Sequence, residues 1–426
     1  MMRTVISPPQ AESGNAAAAP VAPKVRLGAK RVGMVMFSSY PSDPRPRRAL
    51  EALLHEGAVV DLICLLEDGQ PPREANERLR ICRIPIRPTR GGLLSYAYQY
   101  SAFILISACM LAWQSMMKRY DLIYVHNMPD ILVLSAMIPK ALGARVILDQ
   151  HDPMPELMMT IFGREQSNLS VRVLTWLEKW SLARANLVVT VNRACKRLFA
   201  GRGFPEDKIV VVMNAPDSTI FPFRAARSYS PRRAGDQKTF SIMYHGSLVE
   251  RNGLDLAVDA LAQVRPDIPA AELFVFGKRT PYLDQVMQEV KDRGMEKSVH
   301  YMGPRSLEEL VLSIEACDVG VIPNHRNAFT EINTPTRIFE YLALGKPVIA
   351  PGTPGVQAYF GEDSLFFFES GDAQSLAAKM FEVYSRPEIA LQKAEGGQRV
   401  YQAHRWENER EMLIKSVVQL LNGLPA

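Results

Sequence analysis

The chain has 426 residues, 47% hydrophobic and 22% charged, which are globular proportions that exclude a disordered, collagen-like or polytopic membrane protein. At roughly 100 to 200 residues per domain it should hold two or three domains. Its formal charge of +5 is unevenly placed, with +3 in residues 1–30, +6 in 31–215 and −4 in 216–426, and such asymmetry points to a polyanionic partner, nucleic acid or an anionic membrane.

Residues 1–30 lack apolar periodicity and the apolar core of a secretory signal, so they read as a disordered tail. Order is expected from 31. Apolar runs at Val32 to Phe37, Val59 to Leu65, Asp121 to His126, Ala144 to Asp149, Leu187 to Val191 and Lys208 to Met213 predict buried parallel strands. A helix is expected near Arg48 to Glu56 with Gly57 past its end, and helical patterns separate most of the other strands.

Residues 91–117 are uncharged, and between Arg78 and Arg119 there are seven basic side chains and no acid. The apolar centre is too short and too diluted by polar residues for a full span. An aromatic segment rimmed by cations instead suggests an interfacial helix, and hence membrane-surface contact through residues 78–119; the alternative is a buried helix with exposed arginines. No nucleic-acid module is recognisable. The five cysteines form no CxxC or Cys/His cluster, which fits a cytoplasmic location at the inner face of the cell membrane better than a disulfide framework or zinc site.

Over residues 216–239 prolines, serines and arginines interrupt the pattern, marking a linker between an N-terminal domain, 31–215, and a second domain, 240–405. Strands are expected there at Ser241 to His245, Leu273 to Phe276, Val299 to Met302, Val319 to Ile322, Pro347 to Ala350 and Ser364 to Phe368. The fold class is therefore α/β, with two open Rossmann-like parallel sheets. A C-terminal helix, about 406–426, could pack back on the first domain.

Ligands of open α/β sheets bind outside the carboxyl ends of the strands, so the loops there carry the chemistry. After the strand ending at Asp149 come His151, Asp152 and Glu156. His151 could position or deprotonate a hydroxyl; equally, it could bond a carbonyl while the acids cap the next helix. Tyr244 to Leu254 contains Gly246 and Ser247, where a ligand can approach the backbone, and Arg251, a forked donor for phosphate. Lys278 follows another strand. Asn333 and Thr334 precede a short helix with Thr334 as expected N-cap, Pro335 at N1 and Gly345 past its end. Thr336, Arg337 and Glu340 then share one face beside free backbone amides that suit a diphosphate, unless Arg337 and Glu340 merely form a surface pair. No G-x-G-x-x-G, P-loop or H-E-x-x-H occurs.

The Gly246-Ser247 loop with Arg251-Asn252-Gly253, followed by Thr334-Pro335-Thr336-Arg337-Ile338-Phe339-Glu340, resembles the GT-B glycosyltransferases of family four. Leu148 to Glu156 and Val125 to Asp130 resemble the subset acting in bacterial exopolysaccharide assembly. The resemblance implies a nucleotide-diphosphate sugar donor held by the C-terminal domain. Arg251 and the amides around Thr336 would bind its diphosphate and Glu340 its ribose, with His151 facing sugar and acceptor across the cleft. It further implies retention of configuration, no metal and no cofactor beyond the donor. A lipid-linked glycan acceptor suits the basic, aromatic segment. The chain departs from the family at Ile332, where a second glutamate is usual, and at Arg337, where lysine is frequent. An epimerase of the same fold, or a non-catalytic sugar-nucleotide-binding subunit, are the competing functions.

Overall fold

The computed structural model describes residues 25–87, 93–227, 232–234 and 237–424. Of the expected tail, residues 1–24 lie outside this description. Order begins earlier than position 31: Leu27 is buried and Arg26 bridges Glu56 and Glu411 at 2.7 and 2.6 Å.

The first domain runs β1 (Arg31–Ser39), α1 (Pro44–His55), β2 (Val59–Leu65), β3 (Arg73–Ala75), β4 (Leu79–Ile84), α2 (Leu93–Met117) and β5 (Leu122–His126). A 3-10 turn at Asp130–Ala136 leads to α3 (Met137–Ala141), β6 (Arg145–Gln150), α4 (Met154–Phe162), α5 (Leu169–Arg184), β7 (Leu187–Thr190), α6 (Arg193–Gly201) and β8 (Ile209–Val211). Among the described residues the strands form one sheet in the order β3-β4-β2-β1-β5-β6-β7-β8, parallel except for β3. Helix α1 starts four residues ahead of the expected Arg48, because the Asp43 side chain accepts from the Arg45 amide and Pro44 occupies N1; Gly57, φ +87°, ends it as expected. β3 and β4 were not expected. Arginines alternate with apolar residues in Leu79–Ile84, and the charge hides a strand near the sheet edge.

The second domain contains β9 (Arg232–Ala234), β10 (Gln237–His245), α7 (Leu254–Val264), β11 (Ala271–Phe276), α8 (Pro281–Asp292), β12 (Val299–Gly303), α9 (Leu307–Ala316) and β13 (Val319–Val321). It continues through α10 (Thr336–Ala343), β14 (Val348–Pro351), α11 (Pro354–Gln357), β15 (Phe366–Phe368), α12 (Ala373–Ser385), α13 (Pro387–Ala403) and α14 (Trp406–Leu421). The described sheet order is β12-β11-β10-β13-β14-β15, with β9 antiparallel to β10. β9 falls inside the expected linker, since backbone pairing needs no apolar pattern.

Alternate residues of the first sheet feed two cores. Val32, Met34 and Met36 face α1, whereas Val35 and Ile63 face α2, the 3-10 turn and α5. Helix α14 crosses back: Leu413, Ile414 and Val417 are buried against α1 and the first sheet. Its start also holds the crossing segment, as Glu409 accepts from the Met213 amide at 2.7 Å.

Gly253 opens α7 at φ +67°, and a Cβ there would lie 1.9 Å from the Pro323 carbonyl oxygen. Backbone cannot yield as a side chain can. Gly253→Ala is expected to cost on the order of 1 to 3 kcal/mol of stability, measured by urea denaturation.

Candidate functional site

Strands β5 and β6 end in His126 and Gln150, and their carboxyl ends carry a buried polar cluster. Arg45 donates to Asp149 at 2.8 Å, and also to the Val212 carbonyl and Asn214 Oδ1 in the segment leading to the second domain. Tyr124 donates to the other Asp149 oxygen at 3.1 Å. His126 Nδ1 lies 3.4 Å from Asp149, and His151 Nδ1 3.8 Å, an ion-pair distance too long for a hydrogen bond. His151 Nε2 is 4.0 Å from Asp152.

These neighbours divide the charges. Burial works against the Asp149 carboxylate, yet Arg45, and after it His151, outweigh it and hold its carboxyl well below the usual range. Burial pushes His126 down to about 3 despite Asp149, so that ring is neutral. For His151 burial is again the largest influence and lowers the pKa, but Asp149 and Asp152 together raise it above the ordinary histidine value. Beside one carboxylate the two rings are thus shifted in opposite directions, His126 down and His151 up.

Asn127 fixes the loop. Its Oδ1 accepts from the amides of His151 and Asp152 at 3.1 and 3.4 Å, while its Nδ2 donates to Asp130 and to the Asp152 carbonyl. Glu156 is placed differently from the other two acids: it is buried in the first turn of α4 and bonded to Arg202 just past the end of α6, which also holds Glu178 at 2.6 Å. Two carboxylates sharing one guanidinium in a buried site make a structural tie between α4, α5 and α6. His126, Asp149 and His151 bring possible metal-ligand atoms within 4.8 Å of one another, the one such group among the described residues. Arg45 on Asp149 already supplies positive charge there, which opposes a dication.

In the second domain the ends of β10 and β11 meet the start of α10. Arg337 donates to the His245 carbonyl at 2.6 Å and to Asn324 Oδ1 at 3.1 Å, and its guanidinium lies 5.0 Å from the Tyr244 ring centre. Gly246, φ +125°, sits against it: a Cβ would come within 3.1 Å of the Arg337 side chain. His245 Nε2 is 2.6 Å from Glu340, and Nδ1 is 2.8 Å from the Tyr341 hydroxyl. The alternative of an Arg337 to Glu340 surface pair is absent among the described contacts; each residue instead engages the β10 end. The Ser247 carbonyl accepts from Tyr244 and Asn252, holding the turn that carries Arg251. Lys278 is exposed just after β11.

Thr334 is not the N-cap. Helix α10 begins at Thr336 with Pro335 in the cap position, and the Thr334 hydroxyl donates to the Gly355 carbonyl at 2.7 Å. Proline cannot supply a capping side chain, so the first amides of α10, at Thr336 and Arg337, precede the intrahelical pattern. Asn333 is half-buried beside Gly355.

The loop before α10 joins the two clusters. Thr160 of α4 donates to Asn327 at 2.9 Å and accepts from the Phe329 amide, and Asn192 donates to the Ile332 carbonyl at 2.9 Å. Ile332 packs against the first domain's core, so the position where a second glutamate is usual serves domain contact here. Sequence reading singled out His151, Arg251, Arg337 and Glu340 but not Arg45, Asn127, Asp149, His245 or Asn324 as partners. The only signal for these lay in their nearness to strand ends, and Arg45 lacked even that.

Two family descriptions match this arrangement. Residues 43–215 match the glycosyl transferase 4-like domain, and residues 239–386 match the glycosyl transferases group 1. The chain belongs to the group 1 glycosyltransferases. It is similar to D-inositol 3-phosphate glycosyltransferase of Corynebacterium urealyticum, 27% identical over 253 residues that cover 56% of this chain and 57% of that one. The match thus spans little more than half the length of this relative. In fold it is similar to sucrose-phosphate synthase from Thermosynechococcus elongatus, with TM-score 0.74 and 19% identity over 92% of this chain and all of that one. Anabaena Alr3699/HepE, solved in complex with UDP, gives TM-score 0.66 and 17% identity over 93% of this chain and all of that one. These neighbours establish GT-B architecture for this member of the group.

The Arg337 geometry gives a prediction within the family. A lysine would keep the charge but could not serve the His245 carbonyl and Asn324 while lying flat on Tyr244. Arg337→Lys is expected to raise the donor nucleotide Kd by about tenfold, read by calorimetry, consistent with loss of one charged hydrogen bond.

Proposed function

We propose that the protein transfers a sugar from a nucleotide-diphosphate sugar to a lipid-linked glycan acceptor in bacterial exopolysaccharide or surface-polysaccharide assembly. Transfer retains the anomeric configuration and uses no metal or other cofactor. The observation that carries this reading is the β10 to α10 corner, where Gly246, Arg337, Glu340 and the first α10 amides converge. Free amides at a helix start, an arginine fork and a glycine that admits close approach suit a diphosphate. Arg251 and Lys278 add charge beside it. In this reading Glu340, held by His245, accepts from a ribose hydroxyl. Solved complexes of Alr3699/HepE with UDP and with UDP-glucose support a donor of this class.

In the reaction the bond from the anomeric carbon to the diphosphate oxygen breaks, and a bond to the acceptor oxygen replaces it. The diphosphate leaves with the electron pair, and the acceptor proton is released to the departing phosphate. Arginines and helix amides stabilise the developing negative charge. His151, whose pKa Asp149 and Asp152 raise against burial, donates in its protonated form to a sugar or acceptor hydroxyl.

The lipid-linked acceptor draws support from the basic first half of the chain, which also favours contact with the inner face of the cell membrane. Incubating the protein with a panel of nucleotide sugars and membrane lipid extract tests the reading. Labelled sugar entering the lipid fraction is expected; donor conversion without acceptor would indicate an epimerase, and binding without turnover a non-catalytic subunit.

A further inference from the structure

The face of the first domain built by α2, α3, α4 and α5 is unusually apolar. Helix α2 buries Phe103 and Leu111 completely in the core, yet its outer side exposes Leu105, Trp113 and Met116 by 65%, 65% and 67%. Of its apolar stretch Ala97–Met117 only 28% is buried, so the buried helix that was the alternative to an interfacial one does not describe it. It lies along the domain with one side packed and the other bare. Helix α5 repeats the arrangement, burying Val171 and Leu182 while Leu169 and Trp176 remain exposed. Between them, α3 exposes Ile138, and α4 ends in exposed Phe162. The 3-10 turn and α3 pack on α2, α5 packs on the turn and α4 on α5, so the patches are neighbours. Soluble surfaces seldom leave apolar patches beyond a few hundred Å² without a partner.

Charge identifies that partner. Residues 93–184 carry eight lysines and arginines, including Lys118, Arg119, Arg172 and Lys179, all four exposed. Of their carboxylates, Asp130, Asp149, Glu156 and Glu178 are buried, Asp121 is paired with Lys30, Asp152 is half-buried beside His151, and Glu165 alone is exposed. Of the arginines expected to rim the membrane segment, Arg83 is buried against Glu74 at 2.9 Å, while Arg80 and Arg87 are exposed but share their charge with Asp61 and Asp68, at 2.7 and 3.1 Å. Arg90 lies outside the described residues.

We propose that the α2-α3-α4-α5 face docks the protein flat on an anionic lipid bilayer, with Trp113 and Trp176 entering the interface and the lysines and arginines meeting the headgroups. This shifts the contact from residues 78–119 to a surface that includes α5. It deepens the lipid-acceptor reading and rests on it for its purpose. Helix α4 runs from three residues beyond His151 to Phe162, about 12 Å at 1.5 Å per residue. With the three residues between them extended, docking Phe162 therefore keeps His151 within about 25 Å of the headgroups.

The test is flotation of the full chain with phosphatidylcholine vesicles, with and without phosphatidylglycerol, in the absence of any sugar donor. Wild type is expected to float with the anionic vesicles and far less with the neutral ones. Leu169→Glu/Trp176→Glu on α5 and Trp113→Glu/Met116→Glu on α2 are each expected to cut partitioning at least about tenfold. Arg172→Gln/Lys179→Gln, changed only in exposed cations, keeps the test valid should an apolar variant fail to fold; it is expected to weaken binding and steepen its loss with salt. Wild type remaining in solution, equal binding to neutral vesicles, or α5 variants floating like wild type would overturn the proposal. So would sedimentation showing a dimer that the same substitutions dissociate while flotation is absent. Flotation without sugar transfer would leave the docking face standing and defeat the transferase reading; transfer to a water-soluble acceptor without flotation would do the reverse.

Discussion

His151→Ala is expected to lower kcat for sugar transfer by about 10² to 10³, with donor nucleotide affinity changed less than about twofold. The asymmetry follows from placement. His151 belongs to the β6 end of the first domain, while Arg337, Glu340 and Gly246 belong to the β10 and α10 ends of the second, and among the described contacts no hydrogen bond runs directly from His151 to Arg337, Glu340 or Gly246. Isothermal titration with the nucleotide and steady-state transfer kinetics on the same preparation separate the effects. Loss of nucleotide affinity equal to the loss of kcat would show that His151 holds the nucleotide and would defeat the division of labour. The pH profile adds a second readout. Because Asp149 and Asp152 raise the His151 pKa against burial, the protonated donor is present at low pH and lost as pH rises through that value. An alkaline limb in kcat is therefore expected, and it should vanish in the alanine variant.

Asp149→Asn should be the most destabilising single change in the site, by about 3 to 5 kcal/mol. Asp149 and Arg45 are 2% and 10% exposed, and the carboxylate is the charge partner of a guanidinium that otherwise meets only the Val212 carbonyl and the Asn214 side-chain oxygen. Removing the carboxylate leaves a buried, under-compensated cation. Combining it with Arg45→Met should recover much of the loss in a double-mutant cycle monitored by urea denaturation. The signs with pH are opposite for the two titrating partners. Asp149, depressed below its unfolded value, contributes stability above about pH 4 that is lost as pH falls through its folded pKa. His151, raised, contributes below about pH 6.5 and loses that contribution as pH rises through its folded pKa. In the asparagine variant the alkaline limb of kcat should also move to lower pH, because the main group raising His151 is gone. An unshifted limb would assign that titration to another residue.

What could be read from the chain follows the range of the interactions involved. Buried parallel strands need continuous apolar runs, so those expected from such runs are present with ends displaced by a few residues. Strands β3, β4 and β9 escaped because edge and hairpin pairing rests on backbone bonds and tolerates arginines. Gly345, at φ +71°, ends α10 as its local pattern required, but Thr334 lost the cap to Pro335 because its hydroxyl found a partner at Gly355, 21 positions away. Glu156, expected as a candidate acid in the loop after β6, is held instead by Arg202 just past the end of α6.

The sequence alone therefore determined the two α/β domains, the strand-end loops that carry His151, Gly246, Arg251, Arg337 and Glu340, and the group of transferases they resemble. Apolar periodicity, glycines with positive φ and helix-start chemistry are all local and survive as patterns. Only the tertiary structure decided the charge state of His151, set by Asp149 and, through it, by Arg45 from more than a hundred positions earlier. Only it showed that Ile332 faces the first domain and that His245 holds Glu340. The arginines expected to meet a membrane changed most: folding brought Arg80, Arg83 and Arg87 to carboxylates and left the outer sides of α2 and α5 bare, with Lys118, Arg119, Arg172 and Lys179 exposed and, among the described contacts, without a carboxylate partner. A side chain's charge can be counted along a sequence, but whether it is neutralised depends on which groups the fold brings within a few ångströms of it.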